Sequence, residues 1–320
     1  MNPDHQWYLQ TSGGPNTGGN TPVLDYKDPI DFSGYAAQTT TVFKPGNIFD
    51  GMFSDMAIKS PDQTEFYVHR RHLSRVSTNG FAGLLTHRGF SISVPEPTVV
   101  LNIVVHTVYG MSSTHYNPSL DTIEAAIDAL VKYGVAPRVY ASSSSKPLHR
   151  LLLSHAPYRP IDAYALAGKY GFEDAAIAIS AHLLAYDLSQ ISDALSIKMG
   201  PVYLRRLVML HTGREDALKN IVLAPPETHP PTLMCADPQT AQAELTRAWA
   251  FAAAELAWAA LPGMSTNALH SLFDKAGREI HCEDCLAALE ARIRDVCSLW
   301  SQVKVGIFRV DPVPPALGRY

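Results

Sequence analysis

The densest group of reactive side chains in this 320-residue chain is His281-Cys282-Glu283-Asp284-Cys285. Two cysteines at this spacing can hold a zinc ion through their thiolates, but a closed structural site needs four ligands. Cys297, His270 and Cys235 are the residues that could complete the set, and their spacings fit no standard zinc module. Cys282 and Cys285 also stand three apart at the start of a helix, where both can pack on one face as small apolar groups. We therefore expect packing, with no metal and no cofactor. The alternative is a zinc-dependent protein, structural or enzymatic, built around Cys282 and Cys285, with His281 as a further candidate ligand. A thioredoxin-like redox pair would need a strand-to-helix setting, which this helical region lacks.

Other chemistry is absent from the pattern. Ser, His and Asp are plentiful, yet no Gly-x-Ser-x-Gly elbow, P-loop or dinucleotide-binding glycine fingerprint occurs. His211-Thr212-Gly213-Arg214 could bind an anion at a helix junction, but we read it as a helix C-terminal turn with solvated charges. His69-Arg70-Arg71-His72 is one short basic cluster in a chain of net charge −4, which is weak grounds for nucleic-acid binding. We expect no catalytic activity.

The elements that position these residues can be read from hydrophobic periodicity. Residues 1–47 hold Gly-Gly pairs, scattered Thr and no apolar period, the composition of a disordered arm. Met56 and Ile58 alternate with Ala57 and Lys59, Ser60-Pro61-Asp62 supplies a turn, and Glu65–Val68 is rich in aromatic and β-branched residues, so a hairpin is predicted. Leu73, Val76, Phe81, Leu84 and Leu85 follow at near-helical spacing, broken at Gly80 into two short helices. Phe90–Val94 alternates as a strand, and Thr98 is a plausible N-cap for the apolar stretch that runs to Val108. Leu120, Ile123, Ile127, Leu130 and Val131 mark a helix closed by Gly134.

Ala136–Lys146, with four consecutive serines, reads as a linker. Beyond it the pattern is almost wholly helical. Ser192 can cap a helix, Gly200-Pro201 interrupts it, and five prolines between Ala224 and Pro238 make a rigid surface excursion. Thr240–Ala260 and Leu286–Trp300 carry the last long helices, and residues 310–320 form a Pro-rich tail.

The totals agree with a globular protein: 46% of residues are hydrophobic and 18% charged. Four cysteines in a chain this long do not make a disulfide framework. The first ten residues lack the basic and apolar regions of a signal peptide, and the most apolar run, Ala248–Leu261, is too short to span a bilayer. The expectation is a soluble intracellular protein of cytoplasm or nucleus, with no membrane and no nucleic-acid partner.

The stretch Ser54–Leu85 resembles the BTB/POZ domain. Ser54-Asp55 stands before the first strand, Val68-His69-Arg70 ends the second, and Leu73, Ser77 and Phe81 follow, with Ser77 and Phe81 four apart where the family usually has three. Val108-Tyr109 and Tyr133-Gly134-Val135 match the ends of the family's later helices. The second half is similar to a helical extension carried by a large set of BTB proteins from mushroom-forming fungi. The matching segments are Gly200–Leu207, Leu210–Arg214, Ala217–Lys219, Pro225–Thr232, Thr246–Ala250, Cys282–Cys285 and Trp300–Lys304.

The resemblance implies an α+β fold: a BTB/POZ-like domain of small sheet plus helices over residues 48–136, a linker over 137–147, and an all-α extension over 148–309. It also implies a non-catalytic interaction protein forming a homo- or hetero-dimer. Some family members are substrate adaptors for cullin-3 ubiquitin ligases, so cullin-3 is a candidate partner. The dimer surface would lie near Phe49, Met52 and Phe53, whose apolar side chains precede the first strand in a segment with no core of its own. Asp55, His69 and Arg70 complete the candidate interaction residues.

Overall fold

The computed structural model describes residues 42–309, apart from 234, 236, 237 and 279. The expected tail at 310–320 and most of the expected arm lie outside the described residues. The arm's boundary moves back, because Phe43, placed in it on composition, is 1% exposed and packs in the core.

The fold is mixed α+β. Strands β1 (Ile48–Phe49) and β2 (Met52–Phe53) form a two-residue hairpin. Its turn, Asp50-Gly51, has φ of 50° and 73°, the left-handed pair that matches strand twist. Strands β3 (Met56–Lys59) and β4 (Glu65–Val68) form the predicted antiparallel hairpin. After helix α1 (Arg70–Val76), strand β5 (Ser91–Ser93) pairs parallel to β3, giving the order β4-β3-β5. A 3-10 turn at Leu84–Thr86 stands where a second short helix was expected. Phe81 reaches the core from a left-handed backbone, held by its amide donating to Ser77 Oγ (2.7 Å) and by its ring stacked on Tyr133 at 4.2 Å.

Helices α2 (Thr98–Val108) and α3 (Leu120–Lys132) pack on each other and share one core with the sheet. The β-branched run in α2 is helical because nearly all of it is buried, and packing outweighs weak propensity. Thr98 does not cap this helix. Pro97 stands at the N-cap, and Thr98 Oγ1 donates to Asp62 Oδ1 in the β3–β4 turn at 2.6 Å.

Helices α4 (Pro147–Leu153), α5 (Pro160–Tyr170) and α6 (Glu173–Ser180) follow. The expected linker does not separate two cores. Ala141 is buried, and one hydrophobic core runs from Phe43 through Leu148 and Leu166 to Leu210. Helix α7 (Asp193–Val222) contains the predicted break, with Gly200 at φ 75°, ψ 163°, a conformation closed to residues with a Cβ. The predicted Ser192 cap is present, accepting from the Leu195 amide. The second core begins within α7 at Leu218 and takes in α8 (Pro238–Trp258), α9 (Thr266–Ala276) and α10 (Glu283–Gln302). Among the described residues, no helix is long and apolar enough to cross a membrane.

Leu73, 1% exposed, lies in the first core with Phe66 and Phe81. Leu73→Ala is expected to destabilise the protein by about 2–5 kcal/mol, as deletion of buried methyl groups and the cavity left behind do. Urea unfolding measures it, and an unchanged midpoint would contradict this packing.

Candidate metal centre

Four donor atoms converge at the edge of the second core. The side chains of His229, Cys235, Cys282 and Cys285 each offer one ligand atom, and these atoms lie within 4.8 Å of one another. The three cysteines are buried and His229 is half-buried. His229 Nε2 lies 3.2 Å from Cys285 Sγ and 3.4 Å from Cys282 Sγ.

Each donor is positioned by local structure. Cys282 is the N-cap residue of α10 and Cys285 sits in its first turn, so both sulfurs face the helix N-terminus. The Cys285 amide donates to the Cys282 sulfur, which pulls that thiol below its ordinary value despite the opposing cost of burial. Burial, with the neighbouring Cys282 sulfur next, pushes the Cys285 thiol up to about 12. Burial likewise raises Cys235.

His229 and Cys235 come from the proline-rich segment between α7 and α8. His229 Nδ1 donates to the Pro230 carbonyl at 2.7 Å, so in the neutral ring Nε2, on the side of the sulfurs, is the nitrogen with a free lone pair. Gln242 Nε2 donates to the His229 carbonyl at 2.6 Å, and the Cys235 amide bonds to the carbonyl and hydroxyl of Thr232. The segment is anchored separately by Arg292 of α10, which donates to the carbonyls of Ile221 and Ala224 at 2.6 and 3.0 Å. Most of its described residues are exposed, as the rigid surface excursion read from the prolines requires, and these bonds tie it down.

Three thiol sulfurs and one imidazole nitrogen are the donor set of a closed tetrahedral zinc site. Zinc–sulfur bonds of about 2.3 Å place tetrahedral ligands about 3.8 Å apart; the His229 contacts at 3.2 and 3.4 Å are already that close, and the widest separation, at most 4.8 Å, would close by about 1 Å. Four protein ligands leave no position for substrate or activated water.

The expected completion of the cysteine pair is corrected by this geometry. His281 is exposed and lines a groove with Phe251 and Leu272. His270 is exposed on α9, and Cys297 donates to the Thr266 carbonyl at 3.6 Å. Of the candidates, only Cys235 joins Cys282 and Cys285, and His229 was missed. The pairing of His229 with Cys235 beside a Cys-x-x-Cys pair was the signal available for it.

Other singled-out residues are engaged within the chain. His69 is buried. Its amide donates to the Tyr109 hydroxyl (2.8 Å), which in turn donates to Nδ1 (2.9 Å). Its Nε2–H then faces the carbonyls of Asn47 and Met52 and ties the β1–β2 hairpin to the domain. The Arg70 amide bonds Asp55 Oδ1 (2.7 Å), and its guanidinium takes the carbonyls of Leu85, His87 and Gly89. His211 donates to the Leu183 carbonyl, and Arg214 is buried. The segment 211–214 is thus neither an anion site nor a solvated turn. Compared with known proteins, the chain matches no family model, no curated protein and no solved structure.

Proposed function

We propose that this chain is a non-catalytic protein-interaction protein that self-associates through a BTB/POZ-like region spanning the β1–β2 hairpin and α1. The observation that carries the reading is the exposure of apolar side chains on that hairpin: Ile48 is 58% and Phe53 68% exposed. Beside them, Phe49, Asp50, His72, Arg75 and Val76 line a shallow surface groove. Side chains of this kind, grouped on a short hairpin, are covered when a second copy packs against them.

Phe49 plays another part. Its ring lies against His72 at 4.7 Å and Tyr109 at 4.8 Å, so it holds the hairpin to its own domain. In this reading the helical extension presents a surface to a further protein, and ubiquitin-ligase adaptor work with cullin-3 is one use of such an arrangement. The non-catalytic part of the reading is supported by the sequence, which carries no Gly-x-Ser-x-Gly elbow, P-loop or dinucleotide-binding fingerprint.

Light scattering on the full chain tests the association. The wild type is expected to run as a dimer at micromolar concentration. Ile48→Glu with Phe53→Glu should give a monomer of unchanged helix content, because neither side chain is in the core. A wild-type monomer under those conditions would overturn the proposal.

A further inference from the structure

We propose that His229, Cys235, Cys282 and Cys285 bind one zinc ion, which clasps the proline-rich segment between α7 and α8 to the N-terminus of α10. This is independent of self-association and lies in the other core.

Three observations carry it together. The donor atoms come from two segments with no helix or strand pairing between them, yet they converge within 4.8 Å. Cys285 is 0% and Cys235 2% exposed, and the sulfurs face one another and the imidazole rather than only hydrocarbon. Small apolar packing does not require this convergence of heteroatoms. The imidazole is also oriented as a ligand, its Nδ1–H bonded to a backbone carbonyl, the usual outer partner of a metal-bound histidine.

The ion class follows from the donors. Three thiolates and a neutral imidazole select a borderline-soft divalent ion with no demand for oxygen ligands, and a tetrahedral arrangement of them suits zinc. Loading releases the thiol protons to solvent and leaves the cluster with one net negative charge. The amides at the start of α10 face that charge.

The function is mechanical. Glycine-free but proline-broken, the segment between α7 and α8 has no helix or strand among its described residues. Arg292 holds its beginning, and the ion would hold its middle at His229 and Cys235. The ion would thus tie the connection between α7 and α8 to the first turn of α10, at the edge of the second core to which the three cysteines belong.

The test uses the full chain. After dialysis against metal-free buffer, elemental analysis is expected to find zinc in an amount equal to the protein. Cobalt(II) exchanged into the site should give strong sulfur-to-cobalt charge transfer in the near ultraviolet and visible bands of a tetrahedral ion. His281→Ala and Cys297→Ser should keep both signals, whereas Cys285→Ser should lose both. Because a ligand variant can lose metal by failing to fold, His229→Ala serves as the second measure. It should keep wild-type helix content in excess zinc, yet surrender the ion to a competing chelator about tenfold or more readily. A folded wild type that takes up neither zinc nor cobalt would overturn the proposal. So would a Cys282–Cys285 disulfide in protein purified under reducing conditions, or zinc content lost with Cys297 and kept without Cys285.

Discussion

Stripping zinc from the wild-type chain is expected to open residues 224–303 while leaving the sheet and helices α1 to α6 protected. The two cores make this possible. The first, from Phe43 to Leu210 together with Ile307, contains none of the four donor residues, and the second contains all three cysteines. A structural zinc ion contributes on the order of 10–16 kcal/mol of apparent binding free energy in small metal-dependent domains. That matches or exceeds the whole net stability of a typical domain, about 5–15 kcal/mol. The second core has its own hydrophobic contribution, including Trp249 stacked on Phe273 at 4.1 Å, so helix α8 should retain some structure.

Hydrogen exchange followed by mass spectrometry reads the effect segment by segment. After chelation, exchange should rise first in 224–238 and the start of α10, and next in α8 and α9. Readdition of zinc should restore protection. Identical exchange with and without chelator would mean that the cluster adds nothing to stability.

Arg214→Leu is expected to cost about 4 kcal/mol, from the loss of charge-assisted hydrogen bonds and the carbonyls left without a donor. Arg214 is 5% exposed, in the middle of α7 where the two cores meet. Its Nε donates to the Pro262 carbonyl at 2.7 Å, and its Nη1 to the carbonyls of Val303 and Lys304 at 2.7 and 2.9 Å. The guanidinium also lies 4.1 Å from the centre of the Trp300 ring, which adds a cation–π contribution.

No carboxylate is bonded to this guanidinium in these contacts; backbone carbonyls take up its donors. Leucine would fill part of the volume but strand three acceptors. Arg214→Lys should recover less than half of the loss, since one ammonium cannot span three carbonyls on two segments. Urea unfolding followed by tryptophan fluorescence measures both, with exposed Arg205→Leu as a control expected within about 0.5 kcal/mol of wild type. A loss below about 1 kcal/mol for Arg214→Leu would show that water replaces these bonds.

Periodicity and turn chemistry in the sequence were enough for the β3–β4 hairpin, helices α1 and α3, the Ser192 cap and the break at Gly200; the β-branched run of α2 suits a strand as well, and only the resemblance implied a helix there. Each depends on residues close in the chain: alternation over four positions, a capping hydroxyl three residues from its amide, a glycine before a proline. The β1–β2 hairpin was equally local, and Asp50-Gly51 was its signal. It was overlooked because each strand is only two residues long. The serine-rich stretch read as a linker because composition reports solvation and not what lies underneath; Ala141 is buried there in the first core.

Three features needed the tertiary structure. Whether Arg214 is solvated depends on where the chain returns at Pro262 and Val303, and no pattern around residue 214 carries that. His69 and Arg70 are drawn inward by Tyr109 and by the loop before β5, for the same reason. The cluster of donor residues is the clearest case. Cys-x-x-Cys specified half a site, because two sulfurs on one helix turn are fixed by local geometry. The other half stands 56 positions from Cys285 at His229 and depends on how α7, α8 and α10 pack. Ligand residue types are written in the sequence, but coordination is a matter of distances, and distances between remote segments are set only when the core between them closes.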